Sequence, residues 1–228
     1  MRQSLLNVGA IAVFAATASV ANATMLAQWT FNTPINPVTH ANYWTAPDAG
    51  PYDGTFYIQT GDPNSTFSTP AGNGSAHGLS ADRWSTGDFA QVYVYGLPLG
   101  QQSFQLSWDQ TRASGGPSEF RVDVSFGGQN FTTLPNSAYS VIQAGALFSG
   151  TNPWSASGPR QTAFTNTITF NGTFTDFGDL YIRLVATGAN LGNGAARFDN
   201  IVLSSSTIPA PGAIALLGLA GFARRSRR

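Results

Sequence analysis

The sequence predicts an all-β protein, a two-sheet antiparallel β-sandwich of jelly-roll type flanked by an N-terminal signal helix and a short C-terminal hydrophobic helix. Three observations predict it. Apolar residues alternate with polar ones in short runs, glycine- and asparagine-rich turns separate the runs, and between the two ends no segment keeps a helical period.

The elements follow in chain order. Arg2, the apolar stretch from Leu5 to Ala18 and the small-residue site Ala21-Asn22-Ala23 have the tripartite form of a secretory signal peptide over residues 1–23, so the body begins at Thr24. Trp29 lies on the apolar face of the first strand. Residues from Pro34 to Gly78 read as one long loop. Phe89 to Tyr95 is apolar on both faces and reads as a central strand, whereas Phe104, Leu106 and Trp108 alternate with polar residues. The clearest alternation is Ser118 to Phe126: Phe120, Val122, Val124 and Phe126 share one face, and Glu119, Arg121, Asp123 and Ser125 share the other. Ile168 with Phe170, and Leu180 with Ile182 and Leu184, repeat the pattern. Gly127-Gly128, Asn171-Gly172 and Asn193-Gly194 supply turn chemistry between strands. In the closing strand Phe198 and Ile201 stand three apart, and a bulge at Asp199-Asn200 restores the period of two. The body is thus one domain, residues 24–207, followed by a tail over residues 208–228.

That tail holds a Pro209-Ala210-Pro211-Gly212 turn, an apolar run from Ala213 to Ala223 and a basic end, Arg224, Arg225, Arg227 and Arg228. As a helix the run is ~17 Å long, short of a hydrocarbon core of ~30 Å, so it fits a transient membrane association of the precursor. The arginines stay cytoplasmic under the positive-inside bias and leave the body outside.

Without its two ends the chain changes character. Six arginines and eleven acids, with no lysine, leave the body near −5, although the whole chain is neutral. No nucleic-acid partner fits, because neutralising phosphates requires a basic face. No cysteine is available to staple the fold, so stability rests on the core.

The tail resembles the PEP-CTERM signal read by exosortase-type transpeptidases on exported proteins of Gram-negative and related bacteria, with Ala210 standing where that motif has glutamate. The body resembles the β-sandwich of many bacterial surface and PEP-CTERM proteins. The likeness is carried by Arg83-Trp84-Ser85-Thr86-Gly87-Asp88-Phe89, by Leu106 through Pro117, by Val124-Ser125-Phe126-Gly127-Gly128, and by the closing Arg197-Phe198-Asp199-Asn200-Ile201-Val202-Leu203. Such domains are similar to galactose-binding-like and laminin-G-like sandwiches. The resemblance implies an exported, cell-surface or extracellular location, an exosortase-type partner, and no established reaction. It also implies a structural calcium held by Asp199, with oxygen ligands from the N-terminal strand at Thr30 and Asn32; hard oxygen donors suit that ion.

Catalytic constellations are thin. Glycan hydrolysis needs two carboxylates on facing walls of a cleft, but the single glutamate, Glu119, shares a strand face with Arg121 and Asp123 and reads as part of an ion-paired ladder. His40 and His77 both fall in predicted loops, and no Gly-x-Ser-x-Gly elbow is present. Aromatic residues are more suggestive. Tyr43, Trp44, Trp84 and Trp154 fall in or near turns, where exposed rings on a rigid scaffold stack on sugar faces; the alternative is that Trp84 closes one end of the sandwich and Trp44 covers its loop.

These features point to a non-enzymatic sandwich of the cell surface or extracellular polysaccharide layer that binds glycan or serves as coat. A glycan lyase or hydrolase is the alternative. A sheet face lined by Arg, Asp and aromatics favours binding or lysis, and one covered by Thr, Ser and Gln favours the structural role. The processing expectation is directly testable: mass spectrometry of protein recovered from the native cell should find a chain beginning at Thr24 and lacking Arg224 to Arg228. An intact basic tail on extracellular protein would remove the sorting assignment.

Overall fold

The structure is a computed structural model that describes residues 23–98, 100–145, 153–174, 178–188 and 194–207. The expected signal segment up to residue 22, the expected sorting tail with Pro209 to Gly212, Arg224 and Arg225, and Asn193 of one expected turn lie outside the described residues.

Fourteen strands form among the described residues: β1 (Thr24–Trp29), β2 (Val38–Thr39), β3 (Asn42–Thr45), β4 (Gly54–Gln59), β5 (Thr66–Ser68), β6 (Leu79–Ala81), β7 (Phe89–Leu97), β8 (Gly100–Arg112), β9 (Glu119–Phe126), β10 (Thr132–Thr133), β11 (Tyr139–Ser140), β12 (Thr165–Phe174), β13 (Gly178–Ala186) and β14 (Ala196–Thr207). They make two antiparallel sheets. The first runs β12-β8-β14-β6-β5-β2, with β1 also paired to β14; the second runs β10-β9-β13-β7-β4-β3, with β11 also paired to β9.

From β6 onward the chain follows the eight-strand jelly roll, with β10 and β11 sharing one position. The strands β6-β14-β8-β12 of one sheet oppose β7-β13-β9-β10 of the other, so consecutive strands cross between sheets except at the β9 to β10 hairpin. The earlier strands extend this unit, β4 and β3 beyond β7, and β5 and β2 beyond β6. β1 returns along the other half of β14 and sets Thr24 opposite Ser205, so the two ends of the domain leave side by side.

Alternation dictates the interior. Phe104, Leu106 and Trp108 from β8 meet Phe120 and Val122 from β9, Val92 and Val94 from β7, and Ile182 and Leu184 from β13, all buried in one apolar cluster. Trp29 is fully buried, as its position on the apolar face of the first strand requires. The bulge expected in the closing strand is present: the β14–β8 register shifts between Asp199 and Val202, and Asn200 takes a left-handed φ of 49°.

Two expectations need correction. The stretch from Pro34 to Gly78 is not one loop but contains β2 to β5, and within β4 Phe56 and Ile58 reach the interior at 0% exposure. Asn171-Gly172 is not a turn; both lie inside β12, paired with Ser103 and Gln102. Glycine serves there for close approach, since a Cβ on Gly172 would stand 2.1 Å from the Phe126 ring. Gly127-Gly128 does turn, with φ of 104° and 79°.

Trp84 is also a core residue. Its ring lies between Phe120 and Phe198 at 3% exposure, and its Nε1 donates to the Ala81 carbonyl at 2.8 Å. Trp84→Ala should therefore lower the unfolding free energy by about 3–5 kcal/mol, whereas Trp44→Ala, at a site 64% exposed, should change it by less than about 0.5 kcal/mol. Urea titration of the two variants checks both.

Candidate functional site

Pleating sends alternate residues of the second sheet outward: Thr55 and Tyr57 on β4, Phe89, Gln91, Tyr93 and Tyr95 on β7, Tyr181 and Arg183 on β13, Arg121 and Asp123 on β9. Register then aligns one row across six strands. Trp44 stands opposite Tyr57, Tyr57 opposite Gln91, Gln91 opposite Arg183, Arg183 opposite Asp123, and Asp123 opposite Thr133. At one end of this row an open depression of about 430 Å³ is lined by Trp44, Thr55, Tyr57, Gln91 and Tyr93.

The side chains hold one another in place. Tyr93 stacks on Tyr181 with ring centroids 4.3 Å apart and planes within 12°, and its hydroxyl donates to Asp179 at 3.0 Å. The Tyr57 hydroxyl donates to Gln59 Oε1 at 3.1 Å. Burial raises the hydroxyl pKa of both tyrosines above its ordinary value, so both are proton donors at neutral pH. Arg121 and Asp123 form the ladder expected from their spacing, Nε to carboxylate 3.0 Å, and Thr133 Oγ1 donates to the same carboxylate at 2.7 Å. Glu119 accepts from Ser140 instead, at 2.9 Å. The Arg183 guanidinium lies 4.1 Å from the Phe89 centroid and 3.6 Å from that of Phe131, with Nε donating to Gln91 at 2.8 Å.

The outer face of the first sheet differs in kind. Its rows read Thr169, Gln105, Ser204 and Asn171, Ser103, Ser206, an uncharged hydroxyl and amide surface. The two alternatives weighed from composition are both present, one on each side of the sandwich.

The four aromatic candidates are placed differently. Trp44 is exposed on the outer face, while Tyr43, its neighbour on β3, turns inward and stacks on Phe67. Trp84 and Trp154 present no ring to a ligand: Trp84 is in the core, and Trp154 is 7% exposed against Phe164, with Nε1 bound to the Ala71 carbonyl at 2.7 Å. Large rings near turns can close the ends of a sandwich as readily as they project from it. Tyr57, Tyr93 and Arg183 are the face residues that sequence reasoning missed. The apolar-on-both-faces reading of β7 was the available signal, because it placed aromatic side chains on an outer face.

The proposed calcium ligands do not converge. Thr30 donates through its backbone nitrogen and its hydroxyl to Asp48, and Asn32 donates to Thr30 Oγ1 at 3.0 Å. Asp199 instead sits beside Asp109, its cross-strand partner, and both are 0% exposed. Asp199 accepts from Asn73 N at 2.7 Å, the Ser75 hydroxyl and Asn200 N at 2.8 Å. Asp109 accepts a bidentate pair from Arg160 at 2.6 and 2.7 Å and further bonds from Asn73, Asn200 and Thr165. These oxygens accept from N–H and O–H donors, and a guanidinium offsets their charge. No cluster of three or more His, Cys, Asp or Glu suited to a metal is found among the described residues.

No protein-family model matches the chain, and no curated protein matches it. Several solved structures are similar in fold. The xylan-binding domain from Paenibacillus barcinonensis is 10% identical over 83% of this chain and 99% of its own, with a TM-score of 0.43. A mannan-recognising carbohydrate-binding module is 11% identical over 82% and 100%, with a TM-score of 0.38. The N-terminal modules of a Clostridium thermocellum endo-1,4-β-D-xylanase, solved with xylohexaose, are 12% identical over 78% of this chain but 28% of that one, with a TM-score of 0.44. The likeness is loose, and the chemistry of the outer face rests on this chain's own residues.

Burial raises the Asp199 carboxyl to a pKa of about 6, against the hydrogen bonds from Ser75, Asn73 and Asn200, and the Asp109 charge adds to the rise. A carboxyl whose folded pKa lies above its unfolded one favours folding more once protonated, so stability should increase as pH falls from 7 towards 5. The melting temperature of the body should rise over that interval, and Asp199→Asn should flatten the rise. Arg160→Ala, which strands the buried Asp109 charge, should cost ~2–3 kcal/mol, below the full value for a buried pair because Arg160 is partly open to water.

Proposed function

We propose that this protein is an exported, non-catalytic carbohydrate-binding β-sandwich of the cell surface or extracellular polysaccharide layer, whose tail engages an exosortase-type sorting system. The observation that carries the binding role is the single row from Trp44 to Thr133. It sets exposed and half-buried rings beside amide, guanidinium and carboxylate groups on a rigid sheet. Rings of this kind stack on the apolar faces of pyranoses, and the polar groups between them bond the hydroxyls. The depression at Trp44 and Tyr57 is open to solvent and includes Gln91, the next residue of the row.

A non-catalytic role is supported by the way the carboxylates of this face are used. Asp123 is held by Arg121 and Thr133, and Asp179 by Tyr93, so each is committed as an acceptor. Export and sorting are supported by the signal-like residues 1–23 and the tail at residues 208–228.

The binding role is tested by affinity electrophoresis of the body, residues 24–207, in gels containing soluble polysaccharides. At least one polymer should retard the wild type, and Trp44→Ala and Tyr57→Ala should each weaken retardation about tenfold or more, in line with the loss of an aromatic anchor of about 1.4 kcal/mol or more. Ser103→Ala and Gln105→Ala on the opposite face should have no effect. Loss of binding from the opposite face alone would move the site to the first sheet.

A further inference from the structure

We propose that Arg183 is a carboxylate receptor at the middle of the outer-face row, and that the glycan bound there is acidic, a chain containing uronic acid. This rests on the glycan-binding reading and specifies its ligand class. The geometry begins with what Arg183 does not do. Its hydrogen bonding is confined to Nε, which donates to Gln91 at 2.8 Å, and it forms no ion pair among the described residues. Asp123, its cross-strand neighbour, is taken by the bidentate contact from Arg121 and by Thr133. Among the described residues, both Nη groups of Arg183 are therefore left without a protein acceptor.

Two rings lie against the guanidinium, Phe89 at 4.1 Å and Phe131 at 3.6 Å, while the bond from Nε to Gln91 fixes its orientation. Burial pulls its pKa down from the usual guanidinium range, with Asp123 and Tyr57 opposing, and the group stays charged. A planar cation packed on aromatic rings, with its outer edge unpaired among the described residues, is preorganised for one partner geometry. Two parallel N–H bonds match a carboxylate, whereas a sugar hydroxyl satisfies at most one of them. The rings also strip water from the cation, which raises the value of an anionic partner and the cost of having none.

Position supplies the rest. Arg183 stands three strands from Trp44 along the row, about 14 Å at the usual strand spacing. A short oligosaccharide stacked on Trp44 and Tyr57 would carry its next residues over Gln91 to Arg183. The body as a whole is near −5, so bulk electrostatics repel a polyanion. Selection of an acidic chain would have to come from this local contact.

The experiment uses residues 24–207 with polygalacturonate and alginate, each beside its carboxyl-reduced counterpart, in which every carboxylate has become a hydroxymethyl on the same backbone. Titration calorimetry should show binding to at least one acidic polymer and at least tenfold weaker binding to its reduced form. Arg183→Gln should erase that difference. Arg183→Lys, which keeps the charge but loses the fork, should not restore it, and the circular dichroism melting curves of both variants should match wild type. Equal binding of reduced and acidic polymers, or full acidic preference in Arg183→Gln, overturns the carboxylate assignment and leaves glycan binding standing. Absence of binding to these polymers and to neutral xylan, mannan and β-glucan overturns both.

Discussion

With no cysteine in the chain, the two sheets are held face to face by apolar burial, and every other feature depends on the alternation that makes this possible. A pleated strand has two faces, so filling the interior with Phe104, Leu106, Trp108, Val122 and Ile182 also decides what points outward. The outer rows are by-products of the same register. Tyr57, Gln91 and Arg183 lie in line because Phe56, Ala90, Val92, Ile182 and Leu184 do. A slip of one residue in any of these strands would turn its apolar set outward and its share of the outer row inward, which ties the precision of the outer face to the stability of the inner one.

The closing strand departs from this regularity at one place, where a polar cluster replaces the ladder. Asn200 takes a left-handed conformation, the register shifts, and Asp199 is delivered into a pocket closed by Asn73 and Ser75. Asp109 and Arg160 complete it, so two segments that are not strands, residues 70–78 and 159–164, are fastened to the centre of the first sheet. Burying two carboxylates side by side costs free energy, and that cost is met by a dense set of donors. The cluster therefore specifies where those segments sit more than it adds net stability.

Much of this was legible. Strands β8, β9, β12, β13 and β14 carry the period of two, β7 was readable as a run apolar on both faces, and the bulge at Asp199-Asn200 was readable from a single broken interval. Strands β2 to β5 were not, because they are two to six residues long and rich in Thr, Ser and Gly, so their pairing depends on the sheets they extend. The half of the site formed by Tyr57 was hidden with them. Trp84 and Trp154 misled for a related reason: proximity to a turn fixes where a ring begins, and only the surrounding packing fixes where it ends. Arg160 could not be anticipated as the partner of Asp109, since the pair is 51 residues apart and Arg160 reaches it from a segment that no periodicity marks.

The position of β14 has a mechanical consequence. It carries the C-terminal end of the domain at Thr207, runs through the interior of the first sheet, and is bonded along one edge to β8 and along the other to β1 and β6. Ladder bonds in an antiparallel sheet stand perpendicular to the strand. A pull on Thr207 directed along β14 would strain them in shear, many at once, where a pull across an edge strand would open them one after another. A domain tethered through this strand and gripping a polymer with its opposite sheet would resist extraction by sharing the force across two ladders.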